Sequence, residues 1–258
     1  MPVHIEKLDG IAFLAFPNTL DFLKTELSER FSLSSLSGTD SKAFGEILYI
    51  ENTSEKRTDL FLSEQPYWAR TTLLEPFLLH FESIGDAAKA LKEIQRNWAP
   101  YQYQSFRRAA LIQEKLPYIN LKAKNFPVEI PKSPIGVYTL IDDKTILASA
   151  KTSSFLPAGK IEFVEDHENP PSRAYLKIQE SLTLARHFFG VPLPGPDSRC
   201  FEAGACPGGW TWVLVNLGAK VYAVDRAELA PSLMQNPLVE FCAHDAFTLK
   251  PEEIGKCD

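Results

Sequence analysis

The chain has 258 residues, 45% of them apolar, enough to bury a sizeable core and long enough to suggest two domains rather than one. Its net charge of −6 excludes a uniformly basic nucleic-acid coat. The sequence has no apolar run of about 18 residues, and its first ten, with Glu6 and Asp9, lack the basic flank and apolar stretch of a secretory signal, so a soluble, cytoplasmic protein without a membrane partner is expected.

Ile11–Phe16 and Glu46–Ile50 read as short buried strands, and Leu20–Phe31 between them places Phe22, Leu23, Leu27 and Phe31 at helical spacing. Residues 71–81 mix apolar residues with Pro76. Ile84–Trp98 reads as a helix with Ala87, Ala88, Leu91, Ile94 and Trp98 on one side. Val137–Ile141 and Thr145–Ala150, joined by Asp142, Asp143 and Lys144, read as a hairpin.

Charge is distributed unevenly along the chain. Residues 1–88 carry 7 Lys and Arg against 14 Asp and Glu, residues 89–132 carry 9 against 3, and the remainder carries 11 against 16. The segment from Asn97 to Pro134 interleaves cations with rings, including Trp98, Tyr101, Tyr103, Phe106 and Tyr118 beside Arg107, Arg108, Lys122 and Lys124. Cations meet phosphate and rings stack on bases, so this segment is a candidate RNA-binding face. The same composition also suits an amphipathic helix with solvated cations and core rings.

Residues 165–172 are polar and contain two prolines, which suggests a linker and a boundary between domains at 1–165 and 166–258. Ser172 is a candidate N-cap for a helix that carries Lys177 and stops at Gly190. A strand ending near Glu202 then leads into a turn, Ala203-Gly-Ala-Cys-Pro-Gly-Gly-Trp210, and a helix starting around Gly209. Glycines at 204, 208 and 209 let backbone approach a ligand, and the helix start presents free N–H groups. Lys220–Val224 is a further strand, ended by Asp225 about 20 residues beyond the turn, where a carboxylate can accept ribose hydroxyls. Val239–Cys242 ends at His244-Asp245, a second carboxylate placed for an adenine amine or, equally, for capping a turn. The turn is not GxGxxG, which disfavours a nicotinamide dinucleotide. Four cysteines without a CxxC pair and five scattered histidines offer no expected metal site.

Pro171-Ser-Arg-Ala-Tyr-Leu-Lys177, Glu202-Ala-Gly-Ala-Cys-Pro-Gly-Gly-Trp210, Val221-Tyr-Ala-Val-Asp225 and His244-Asp-Ala-Phe247 together resemble the FtsJ-type RNA ribose 2′-O-methyltransferases, and within them most resemble the bacterial RlmM type that acts on cytidine in 23S ribosomal RNA. The resemblance implies an α/β chain whose N-terminal half is an α+β RNA-binding region, ferredoxin-like over about 1–62 and THUMP-type over about 63–155. A Rossmann-like domain dependent on S-adenosylmethionine would follow. It implies that Lys177 is the first lysine of a Lys-Asp-Lys-Glu catalytic set. Ser172, Gly204, Cys206, Pro207, Gly208, Gly209 and Trp210 would form the methyl-donor pocket, with Asp225 on the ribose and Asp245 on the adenine side. Glu202 stands where close relatives usually have Asp.

The other three catalytic positions have no counterpart up to Asp258, and Lys256–Asp258 reads as the start of a fourth strand. The methyltransferase domain is therefore expected to be truncated after about three strands. The chain is then a fragment, or a shortened form inactive by itself. The alternative is a non-catalytic RNA-binding protein that retains a relic of the cofactor turn.

Overall fold

The computed structural model describes residues 3–33, 41–51, 59–61, 63–133 and 135–258. Pro134, which ends the basic aromatic segment, and parts of the expected ferredoxin-like region lie outside the described residues. The chain forms two units, Met1–Lys122 with Ile130–Ile161, and Ala123–Glu129 with Glu162–Asp258.

The first unit contains β1 (His4–Lys7), β2 (Gly10–Ala15), α1 (Leu20–Glu29), β3 (Ser41–Phe44), β4 (Ile47–Glu51), β5 (Ala69–Leu73), β6 (Phe77–His80), α2 (Ile84–Ile94), β7 (Trp98–Pro100), α3 (Phe106–Lys115), β8 (Gly136–Leu140) and β9 (Thr145–Ser149). One antiparallel sheet runs β3-β4-β2-β5. A second runs β1-β6-β9-β8-β7 and is antiparallel except for the β7–β8 pair. The continuous apolar run of β2 has a direct cause, because alternate side chains serve two cores. Ile11 and Phe13 join Leu23 and Leu27 of α1. Ala12 and Leu14 join Ile47, Val137 and Leu147 between the sheets. The far side of the five-stranded sheet is covered by Ala87, Leu91 and Ile112 from α2 and α3, packed on Leu79, Tyr138 and Ile146.

Helix α2 stops before the sequence pattern does. Ser83 caps its start, accepting from the amide of Asp86 at 3.2 Å, but the backbone turns extended at Gln95 and Trp98 opens β7. The Trp98 ring still returns to the helix: its indole N–H donates to the carbonyls of Leu91 at 2.9 Å and Gln95 at 3.0 Å. Phe22, assigned to the apolar face of α1, is exposed and stacks on Trp68, with ring centroids 4.9 Å apart.

The second unit contains α4 (Tyr175–Phe189), β10 (Arg199–Ala203), α5 (Gly209–Asn216), β11 (Lys220–Asp225), α6 (Pro231–Met234), β12 (Val239–Ala243) and α7 (Pro251–Ile254). Its strands form a parallel sheet in the order β10-β11-β12. Parallel pairing requires crossovers, which α5 and α6 supply. Val213, Leu214, Val221 and Ala223 form the core with Tyr175 and Ile178 of α4. Helix α4 ends at Gly190 in the left-handed conformation, φ 66°, as the Gly-Val-Pro sequence suggests. The expected strand at Lys256–Asp258 is not formed; these residues are irregular, although the amide of Asp258 donates to the carbonyl of Arg199 at 3.0 Å. No helix among the described residues is long and apolar enough to cross a membrane.

Candidate functional site

The parallel sheet delivers the ends of β10, β11 and β12 to one edge, where two cavities open. The first, about 220 Å³, is lined by Ser172, Lys177, Glu202, Cys206 and Trp210 among others. The second, about 360 Å³, is lined by Asp225, Arg226, His244, Asp245 and Phe247. Ala203 and Gly204, which line both, join them at the mouth of β10. This is the crevice beyond the carboxyl ends of the strands where open α/β sheets bind ligands.

Between β10 and α5 the turn is held in place from three sides. The amides of Gly204 and Ala205 donate to the carbonyl of Val224 at 2.9 and 3.3 Å, and the amide of Cys206 donates to the Asp225 carboxylate at 2.9 Å. The Trp210 indole N–H donates to the carbonyl of Ala174 at 3.0 Å and ties the turn to the start of α4. The Cys206–Pro207 peptide is cis. Gly209 permits close approach, because a Cβ there would lie 2.5 Å from Ser172 Oγ and 3.2 Å from the Tyr175 nitrogen. Gly208 adopts φ 105°, and its Cβ would strike Leu233 at 2.3 Å.

Ser172 is not the N-cap expected of it. The cap position is Ala174, without a side-chain hydrogen bond, and the Ser172 hydroxyl lines the first cavity, buried and without a protein hydrogen-bond partner. A buried polar atom left unpaired at a cavity wall suits a ligand with a complementary group. Lys177 lies on α4 at the same cavity, exposed, with no ion-pair partner among the described residues.

Asp225 already accepts two amides, from Ala227 at 3.0 Å and from Cys206, and these hold its carboxyl below the usual carboxylate range. The bond from Cys206 fixes the turn that this carboxylate faces. Asp245 caps the 3₁₀ turn Ala246–Thr248, accepting from the Phe247 amide at 3.1 Å, and pairs with Arg226. That guanidinium, with the Phe247 amide, lowers the Asp245 carboxyl. No local pattern signals the Arg226 pairing, which bridges the ends of adjacent strands.

Glu202 is the group whose state the sequence could not disclose. It is 7% exposed, its Oε2 accepts from the Thr211 hydroxyl at 2.5 Å, and burial pushes its carboxyl up to about 7, with Thr211 acting in the lowering direction and Asp225 adding to the rise.

The candidate RNA residues divide between the units. Arg107, Arg108 and Lys122 belong to the first, Lys124 to the second. Arg107 and Lys122 are exposed. Arg108 is half-buried with its guanidinium 5.7 Å from the Phe81 ring, and its Nε has no hydrogen-bond partner. The backbone of Lys124 bonds to Glu162 and Val164. The rings divide as well: Trp98 is fully buried and the Tyr101 hydroxyl bonds to Glu46, whereas Phe106 and Tyr118 are exposed. Tyr118, Leu121 and Lys122 help to line a groove of about 590 Å³ along α3 in the first unit. Among the described residues no group of three or more His, Cys, Asp or Glu is placed to hold a metal ion.

Comparison with known proteins matches residues 170–258 to the FtsJ-like methyltransferase family. Similar curated proteins carry the name ribosomal RNA large subunit methyltransferase M. That of Pseudomonas fluorescens Pf-5 is 41% identical over 152 residues, covering 50% of this chain and 41% of that protein. That of Hahella chejuensis is 37% identical over 179 residues, covering 67% of this chain and 42% of that protein. The chain thus spans about two fifths of the length of these curated relatives. Likeness to the Hahella protein extends well ahead of residue 170, while the family match is confined to the segment that builds the parallel sheet and its cavities. Residues 170–258 are therefore similar to the FtsJ-like methyltransferases.

Proposed function

We propose that the joined cavities bind S-adenosylmethionine and that the protein methylates a ribose 2′-hydroxyl, that of a cytidine in 23S ribosomal RNA, in the cytoplasm. One observation carries this reading: a buried, unpartnered hydroxyl and a glycine-lined turn at one end of a crevice whose other end holds two carboxylates. Asp225 is assigned to the ribose hydroxyls and Asp245 to the adenine amine, through the lone pairs that the amides and Arg226 leave free. Ser172, Gly204, Cys206, Pro207, Gly208, Gly209 and Trp210 are assigned to the methionyl end.

The bound donor supplies an electrophilic methyl group on a sulfonium. A ribose hydroxyl is a poor nucleophile and must lose its proton as it attacks. Lys177, at the wall of the first cavity, is positioned to bring positive charge to the developing alkoxide. A group other than Lys177 is then the base. The first unit is assigned to RNA binding as the ferredoxin-like and THUMP-type region, with Arg107, Arg108, Lys122 and, in the second unit, Lys124 meeting phosphate. The groove beside Tyr118 offers a place for an unpaired base.

Two measurements test the proposal. Calorimetry should show S-adenosylmethionine binding to the 258-residue chain, and disruption of the gene should remove one 2′-O-methylcytidine from cellular 23S RNA. An unchanged methylation pattern would overturn the assigned reaction. Failure of the chain to bind donor would overturn the assigned site.

A further inference from the structure

Three rings of the first unit stand together at its surface. Phe22 of α1 is 58% exposed, and Tyr67 and Trp68, in the loop that enters β5, are 64% and 39% exposed. Phe22 and Trp68 stack with an interplanar angle of 24°, and the Arg30 guanidinium lies over the Tyr67 ring, 4.3 Å from its centroid. The loop that carries two of these rings is firmly held. Glu26, one turn after Phe22 on the same face of α1, accepts the amides of Tyr67 at 2.9 Å and Trp68 at 3.1 Å, and its side chain is only 8% exposed. The same carboxylate accepts from Arg30 at 2.9 Å, and Arg30 also donates to the carbonyl of Gln65 at 3.3 Å. The carbonyl of Trp68 accepts the amide of Phe16, just beyond β2, at 3.2 Å. A buried carboxylate thus fixes a loop whose rings stay out of the core. Single exposed rings are ordinary, but three side by side on a fixed frame mark a surface that a partner covers.

Charge selects that partner. Asp21 and Glu29, on the row of α1 beside Phe22 and Glu26, are exposed, and Glu64 precedes the loop. Lys24 is already paired with Asp21, and Arg30 with Glu26 and Glu64. A nucleic-acid phosphate would meet these carboxylates with both neighbouring cations engaged, so the patch is unlike the basic segment assigned to RNA. Arg30 shows within the chain what such a surface accepts: a guanidinium over an aromatic ring with carboxylates alongside. We propose that Phe22, Tyr67 and Trp68 form a docking surface for an arginine-rich segment of a partner protein. Its guanidinium groups stack on the rings, and Asp21, Glu29 and Glu64 supply the opposite charge.

The probe is a fluorescein-labelled peptide of repeating Arg-Gly-Ser, titrated with the 258-residue chain and followed by anisotropy, beside the same peptide with lysine in place of arginine. The arginine peptide should bind several-fold more tightly than the lysine peptide, because a planar guanidinium stacks on a ring and a hydrated ammonium does so poorly. Both should weaken as salt increases. Changing Phe22 and Trp68 together to Ala should weaken the arginine peptide about tenfold, the combined effect of two lost cation–ring contacts, and bring it close to the lysine peptide. Asp21→Asn with Glu29→Gln, both exposed on α1, should weaken either peptide and flatten its salt dependence, a comparison that stands even if the ring variant folds poorly. RNA affinity, measured by filter binding, should be the same in all three proteins. Absence of peptide binding, equal affinity for the two peptides, or unchanged affinity in the ring variant would overturn the proposal. A loss of RNA affinity in the ring variant would give the patch to nucleic acid instead. Sedimentation showing a dimer of the wild type that the ring variant abolishes would give it to a second copy of the chain, and either result overturns the proposal.

Discussion

Replacing Glu202 by Gln should remove a pH-dependent weakness from the second unit even when no ligand is present. The carboxyl is raised by burial from 4.5 to about 7. An unfolded Glu ionises near its ordinary value, so below it the folded and unfolded states are protonated alike. As pH rises through the interval the unfolded state ionises first, and the stability due to the buried neutral acid is progressively lost until the folded carboxyl also ionises. At about 1.4 kcal/mol per pH unit, the displacement corresponds to a loss of roughly 3 kcal/mol, of which about 2 falls between pH 5.5 and 8.5. Gln has no proton to lose, and its carbonyl can keep the Thr211 hydrogen bond. Urea unfolding at a series of pH values, with the second unit read by hydrogen exchange of peptides covering residues 199–225, should show the wild type losing stability relative to the variant as pH increases. A constant difference between the two from pH 5.5 to 8.5 would refute the reasoning, because it would mean that Glu202 titrates alike in folded and unfolded chains.

Asp225→Ala should weaken S-adenosylmethionine about 10- to 100-fold, the effect of losing hydrogen bonds to a charged group, while leaving RNA affinity unchanged; calorimetry and filter binding separate the two, and equal losses would indicate a folding defect. Gly209→Ala should destabilise the second unit by about 1–3 kcal/mol and impair donor binding, because the added methyl meets Ser172 Oγ at 2.5 Å. Thermal denaturation checks this, and a variant as stable as the wild type would show that the turn can yield. Changing Arg107, Arg108, Lys122 and Lys124 together to Gln should flatten the dependence of log RNA affinity on log salt by about 0.7–0.9 for each phosphate that the variant no longer engages. Arg108→Gln alone should act more on stability than on that slope, since Arg108 packs over Phe81; an unchanged slope in the fourfold variant would place the RNA elsewhere.

Strands such as β2 are legible in the sequence because both faces are buried, so that Ile11–Ala15 is apolar throughout, whereas β5, buried almost as completely, is hidden by Arg70, Thr71 and Thr72. The parallel sheet is legible from its glycine turn and the carboxylates that end its strands. Trp98 misleads the reading of α2 because its spacing from Leu91 and Ile94 is helical. The structure puts the ring where that spacing implies, on the helix carbonyls, but reaches it from a strand after a turn. Ser172 misleads in a similar way: a serine shortly before a helix resembles a cap, and only the fold shows two further residues before Tyr175 and a hydroxyl turned to the cavity. The pairing of Arg226 with Asp245 and the packing of Arg108 on Phe81 join distant segments, to which local spacing is blind. The titration of Glu202 is hidden for the same reason, because charge type is written in the sequence and desolvation is not.

The bond from Trp210 to Ala174 has a practical consequence. It fixes an indole at the wall of the first cavity while leaving 43% of the residue open to solvent. Trp98 lies fully buried in the other unit, so its emission reports a dry surrounding whatever happens at the crevice. A ligand entering the cavity displaces water from the Trp210 ring and changes the polarity that its excited state experiences. The protein thus contains its own optical gauge of occupancy. A titration followed by tryptophan fluorescence would read the site without any label, and the same titration of Trp210→Phe subtracts whatever Trp68 and Trp212 add to the signal.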